Sequence, residues 1–199
     1  MTVKETLEQA HEIMKSVGRF YLTLDQCLES HGVRCCHKKE LALGLDGMNN
    51  RQSNYDSFLG EMKFVIPSWF TRWYTIGGNN KLEKGDKWIT VTVMLFNNHD
   101  LDCLEHPIIS SSIWTAKEAM GTKDEGTEWW HSKWLMWNDD SLPTEEEWVD
   151  NEVCNKHPNW KGHLFSRCEG RYINLERITE PEDVESWIVE PLMKKLLGD

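Results

Sequence analysis

The densest set of groups able to do chemistry is HDLDCLEH at 99–106, where His99, Asp100, Asp102, Glu105 and His106 crowd imidazole and carboxylate donors into one short connection. Nitrogen and oxygen ligands of this kind hold divalent ions, and a coordination position left open to water supplies a nucleophile near neutral pH. The stretch is therefore a candidate metal site, and the reaction it would support is metal-dependent hydrolysis. Its spacing matches no established metal motif. Polar connections between strands collect the same residue types without binding anything.

The second candidate is aromatic. Eleven tryptophans are the anomaly of the composition, and Trp129, Trp130, Trp134 and Trp137 gather in EWWHSKWLMWNDD. An indole combines a large apolar area with an N–H that needs a partner, so it suits both a core and the wall of a ligand or partner site. Most of the eleven fall at strand or helix spacing and read as core. The 129–137 cluster is the candidate ligand-binding surface.

Weaker constellations remain. Cys154, His157, His163 and Cys168 are spaced somewhat like a zinc knuckle, but the ligand order differs and the second half runs into a strand pattern. His31, Cys35, Cys36 and His37 form a third cluster; adjacent cysteines serve one ion poorly, and exposed thiols are the simpler reading. Glu61 and Lys63, following Asp46, resemble the carboxylate and lysine pattern of restriction-like nucleases, which would imply a metal ion held on a strand pair. Phosphate-binding loops, dinucleotide fingerprints, nucleophile elbows and the zincin H-E-x-x-H have no counterpart in the chain.

These groups must be positioned by the surrounding elements, of which residues 88–96 (WITVTVMLF) are the clearest. β-branched residues alternate there with a period of two and both faces are apolar, the pattern of a central strand covered on both sides. Further strands are predicted at 61–66, 69–76 and 108–116, with turns at 77–80 and 84–86, and in HLFSRC and RYINLERI, broken or bent around Gly170. Segment 129–137 reads as a strand by its aromatic enrichment. Residues 44–60 read as a long loop, a short helical turn is expected at 38–43, and Pro143 and Thr144 open a predicted helix through TEEEWVDNEV.

Helices are expected at both ends. Val3, Leu7, Ala10, Met14, Val17, Tyr21, Leu24 and Leu28 recur at alternating spacings of four and three, and Ile13, Phe20 and Cys27 widen the stripe. That stripe suits a helix on its own sheet, yet its extent also predicts a symmetric homodimer. At the other end, Thr179 as N-cap with Glu182 three residues on opens a helix over 179–198 that Pro191 should kink. Helices at the ends and strands between give an α+β class: one domain over 1–199, with an N-terminal helix at 1–32, an antiparallel sheet of five or six strands within 61–178, and a C-terminal helix.

Composition bounds the partners. A chain of 199 residues with 39% hydrophobic and 28% charged residues has room for a full core. A formal net charge of -11 opposes phosphate backbones and anionic membrane surfaces, so neither nucleic acid nor membrane is expected. The N-terminus lacks a signal-peptide core, and six scattered cysteines read as reduced thiols, which points to the cytoplasm. The leading expectation is a non-enzymatic cytosolic binding or assembly protein with a Trp-rich surface for a small molecule or a protein, needing no cofactor. The rival is the hydrolase with a divalent metal ion at 99–106.

Overall fold

A computed structural model of the chain describes residues 2–36, 42–44, 69–96, 103–121, 144–150 and 165–198. Helix α1 (Val3–Ser30) begins at a capping box: the Thr2 Oγ1 accepts the Glu5 N–H, and Glu5 Oε2 accepts the Thr2 N–H at 2.6 Å. It ends at His31, and Gly32 follows in the left-handed region at φ 75°, where a side chain would be strained. Short strands β1 (Val33–Cys35) and β2 (Ala42–Gly44) come next. β3 (Trp69–Ile76), β4 (Lys81–Leu82), β5 (Lys87–Phe96), β6 (Cys103–Ala116), β7 (Met120–Gly121), β8 (Val149–Asp150) and β9 (Phe165–Asn174) complete the strands. A 3-10 turn (Leu175–Arg177) then leads to α2 (Pro181–Val184), a π-helical turn (Glu185–Val189) and α3 (Glu190–Leu197).

The main sheet is antiparallel throughout, in the order β1-β3-β5-β6-β9-β8, with β2 also paired to β3; β4 and β7 form a separate pair. With one helix region at each end of the chain, this is a single α+β domain, as the order of elements implied. The register sorts side chains into two layers. One face carries Phe70, Ile89, Val91, Val93, Ile109, Ile113 and Ile173 toward α1, α2 and α3. The other carries Trp73, Trp88, Trp114, Met94, Ile108, Cys168 and Tyr172.

The stripe of α1 is spent on its own sheet from Ala10 onward. Ala10, Val17, Phe20, Tyr21, Leu24 and Leu28 are buried and Ile13 and Met14 half-buried, whereas Leu7 is 55% exposed. Each fully buried Leu or Phe contributes roughly 2 kcal/mol relative to an exposed one. A polar clasp fixes the rotation of the helix. Asp25 accepts the Tyr74 hydroxyl at 2.9 Å and pairs with Arg72 at 3.0 Å, and the Arg72 Nε–H donates to the Cys35 sulfur at 3.2 Å. Burial raises the Asp25 carboxyl above its usual range, with Arg72 and Tyr74 opposing the shift. One layer deeper, the Tyr21 hydroxyl reaches the β3–β5 ladder, 2.7 Å from the Phe70 carbonyl and 3.0 Å from that of Val91, and accepts the Val93 N–H at 3.3 Å.

Several expectations need correction. The 143–153 region is not the expected helix where it is described: a turn at 145–146 leads into β8, because pairing with Glu169 and Gly170 of β9 outweighs the helix-start signal at Pro143 and Thr144. Gly170 does not break β9, which is held there on both sides by Ser112 and Val149. Residues 175–177 form a 3-10 turn rather than strand, and the described part of 38–43 is strand β2. The C-terminal cap sits one residue later than expected, on Glu180 and Asp183, and the π-helical turn ends at Val189, two residues before Pro191, which has no N–H to give to the helical ladder. The predicted strands at 61–66 and 129–137 and nearly all of the loop at 44–60 lie outside the described residues.

Candidate functional site

Most of the residues singled out from the sequence lie outside the described ones. Trp129, Trp130, Trp134, Trp137, His99, Asp100 and Asp102 lie outside the described residues, as do Asp46, Glu61, Lys63, Cys154, His157 and His163. Glu105 and His106 fall within β6, so that the 99–106 stretch is not a loop to its end. The strand continues because the β5–β6 register shifts between Met94 and Phe96, and Pro107 falls in that irregularity, where it owes no ladder bond. Among the described residues no group of three or more His, Cys, Asp or Glu is placed to hold a metal ion.

The cysteine cluster after α1 also differs from expectation. Cys36 is buried and Cys35 half-buried, so these are not exposed thiols. Cys27 is raised to about 11 by burial and by neighbouring Glu185, which leaves it protonated and unreactive at neutral pH.

The tryptophans whose side chains are described divide into two sets. Trp73, Trp88 and Trp114 are sealed in the second layer, where Trp88 stacks between Trp73 at 6.5 Å and Phe165 at 5.6 Å. Hydroxyls share that layer: Thr71 bonds Thr92 at 2.7 Å, Thr90 bonds Ser112, and the Trp114 Nε1–H donates to Ser112 at 3.0 Å. These hydroxyls and the Trp114 N–H satisfy one another, and the layer is a core. Trp148 and Trp187 are different. Both are half-buried at the edge of the helix-side layer, and each carries a cation over its ring, Lys195 at 5.8 Å from Trp148 and Arg177 at 4.9 Å from Trp187.

Around these two indoles lies a charged seam where β8, β9 and α3 meet. Alternation along β9 puts Arg167, Glu169 and Arg171 on the same face as Ile173, under the helices. Glu169 is 8% exposed and accepts from Lys195 at 2.7 Å and Arg167 at 3.0 Å; Arg167 also reaches Asp150 at 3.1 Å. At the far end, Glu145 accepts the Asn174 N–H at 2.9 Å and its side-chain amide at 3.1 Å, and Arg177 pairs with Glu145 and Glu146 at 3.6 and 3.3 Å. Glu146 holds a left-handed backbone, φ 70°, in the turn over this seam, and its N–H donates to the Tyr172 carbonyl at 2.9 Å.

Sequence reasoning missed the seam although a signal was present. In RCEGRYIN, the charged residues Arg167, Glu169 and Arg171 occupy every second position and end on apolar Ile173, which is the mark of charge carried onto a covered face. Compared with known proteins, the chain matches no family model, no curated protein and no solved structure.

Proposed function

We propose that this chain is a non-enzymatic binding or assembly protein whose contact surface is the seam of β8, β9 and α3. The observation that carries the reading is the pair of half-buried indoles, Trp148 and Trp187, each with a cation over its ring. Tryptophan and arginine are among the residues most enriched where partners dock, and the cation over each indole is a charge that a docking partner can meet together with the ring. The thiols of Cys27, Cys35, Cys36 and Cys168 suit a reducing compartment, in keeping with a cytosolic setting. No helix is long and apolar enough to cross a membrane among the described residues. The simplest partner is a second copy of the chain, since closed twofold assemblies are the commonest.

The test uses the intact chain with a photo-crosslinking residue in place of Trp148, irradiated in cells and in the purified state. The reading expects a discrete adduct that Trp187→Ala or Arg177→Glu removes, and in the purified protein an adduct of twice the chain mass. An equal adduct from a crosslinker at exposed Glu12, or none at Trp148, rejects the surface. Light scattering reading only the 23.4 kDa monomer at tens of micromolar rejects the second copy as partner.

A further inference from the structure

We infer that the seam contains an anion subsite at Arg171 that takes a single carboxylate group, carried on an aromatic or apolar body that lies against Trp148. The inference rests on the reading of the seam as a binding surface and adds the chemical class of what it receives.

Two arginines on the helix side of the sheet are partnered unequally. Arg72, Val91, Ser111 and Arg171 form one row across β3, β5, β6 and β9, all on the helix side of the sheet. At one end of the row, Arg72 has a carboxylate on a terminal nitrogen and a sulfur on Nε. At the other end, Arg171 is 6% exposed and its Nε–H, fully buried, has no hydrogen-bond partner among the described residues. A guanidinium does not escape this by losing its proton, so the cost of a buried donor to a charged group stands until an acceptor arrives.

The neighbouring acids do not meet that need. Burial depresses Arg171, and Glu146 and then Glu145 oppose the shift at a distance. Yet Glu145 is held by Asn174 and Arg177, Glu146 by Arg177, and Glu169 by Lys195 and Arg167. Among the described residues these three carboxylates are each committed to another cation or amide, and the Arg171 Nε–H is left without an acceptor.

The surroundings specify the ligand. Ser111 is the residue directly across from Arg171 on β6, buried and on the same face of the sheet. Val149 pairs with Gly170 in an antiparallel ladder, so Trp148, one residue before it, comes alongside Arg171 on the same face and supplies an aromatic wall. Glu145 and Glu146 act on Arg171 and are themselves only paired by the one Arg177, on a chain of net charge -11, so the site admits one carboxylate at less cost than a dianion such as phosphate.

The probe is benzoate, which joins one carboxylate to one ring. In a spectrum of the 15N-arginine-labelled full chain, the Arg171 Nε–Hε resonance is assigned by its loss in Arg171→Lys, or by sequential assignment of the unmodified protein if that variant does not fold. Benzoate should shift this resonance saturably while those of Arg34 and Arg72 stay in place, and phosphate and chloride at equal ionic strength should leave it unmoved. Trp148→Ala should weaken the benzoate response about tenfold. An Arg171 resonance that benzoate does not move, one that moves only in step with exposed Arg34, or one that phosphate saturates equally well overturns the inference. The two readings separate cleanly: a saturable benzoate shift without a partner adduct supports the subsite and removes the partner surface, whereas an adduct without the shift overturns the subsite alone.

Discussion

Removing one oxygen atom, by Tyr21→Phe, tests how α1 is fastened to the sheet. The Tyr21 side chain is 2% exposed, packs edge-on against Phe20 at 5.0 Å, and burial raises its hydroxyl well above the ordinary phenol range, so it is a neutral group at any pH at which the protein folds. Phenylalanine keeps the ring and its packing and deletes only the hydroxyl's bonds to the Phe70 or Val91 carbonyl and from the Val93 N–H. Phe70 and Val93 are ladder partners, as are Arg72 and Val91, so the β3–β5 pairing itself remains when the hydroxyl leaves. The net loss is therefore near one buried hydrogen bond, about 1–2 kcal/mol. With a urea m-value of roughly 2 kcal/mol/M, that moves the unfolding midpoint down by about 0.5–1 M at unchanged slope. Tyr21→Ala, which also removes the ring, should cost about 3–5 kcal/mol. A Tyr21→Phe midpoint equal to or above that of the parent would refute the argument, because it would mean that the hydroxyl's desolvation cancels its bonds.

Three further outcomes are expected from the same chemistry. Asp25→Ala should destabilise by about 3–5 kcal/mol, since it strands the Arg72 guanidinium and the Tyr74 hydroxyl, and Arg72→Met in the same chain should recover part of that loss in urea titrations. Asp183 accepts from the Thr179 N–H, the Thr179 hydroxyl and the Glu180 N–H, which holds its carboxyl below the usual range. Its capping contribution is thus complete above the ordinary aspartate pKa and is lost as pH falls through the lowered value, so the midpoint gap between parent and Asp183→Ala should narrow on acidification and stay constant above pH ~5. Gly78→Ala should cost more than Gly85→Ala in thermal unfolding. Both residues have positive φ, worth about 1–2 kcal/mol to an alanine, but at Gly78 the new methyl would also stand 3.0 Å from the Arg34 Cβ, whereas at Gly85 it meets nothing within 4 Å.

Much of the fold was legible because its signals are local. The alternation at 88–96 identified β5 to within one residue, and the stripe from Val3 to Leu28 gave α1, together with its end at His31 and Gly32. What misled were places where a distant strand decides. Val149 and Asp150 follow a strong helix start, yet β9 recruits them into an edge strand, and nothing near them in sequence announces it. The thiols at Cys35 and Cys36 looked exposed beside His31 and His37, but pairing of β1 with β3 turns Cys36 inward and sets Cys35 under Arg72. The site was less legible still. Residue type marks tryptophan as notable without separating the sealed indoles of Trp73, Trp88 and Trp114 from those of Trp148 and Trp187 at the surface; only the two-layer register does so.

The helix-side layer also has an order of assembly written into it. Its buried stripe on α1, from Ala10 to Leu28, is completed by Ile173 and by Val184, Ile188, Val189, Leu192 and Met193, which a ribosome makes more than a hundred residues later. During that interval α1 is an amphipathic helix with its apolar side uncovered, and its deepest anchor, Tyr21, waits for Phe70 and Val91. Folding dominated by such distant closures is slow and leaves a sticky intermediate on the nascent chain. The chain should therefore engage chaperones during synthesis through α1, and a stop codon anywhere before Val184 should yield a product that is degraded or aggregates rather than a smaller folded domain.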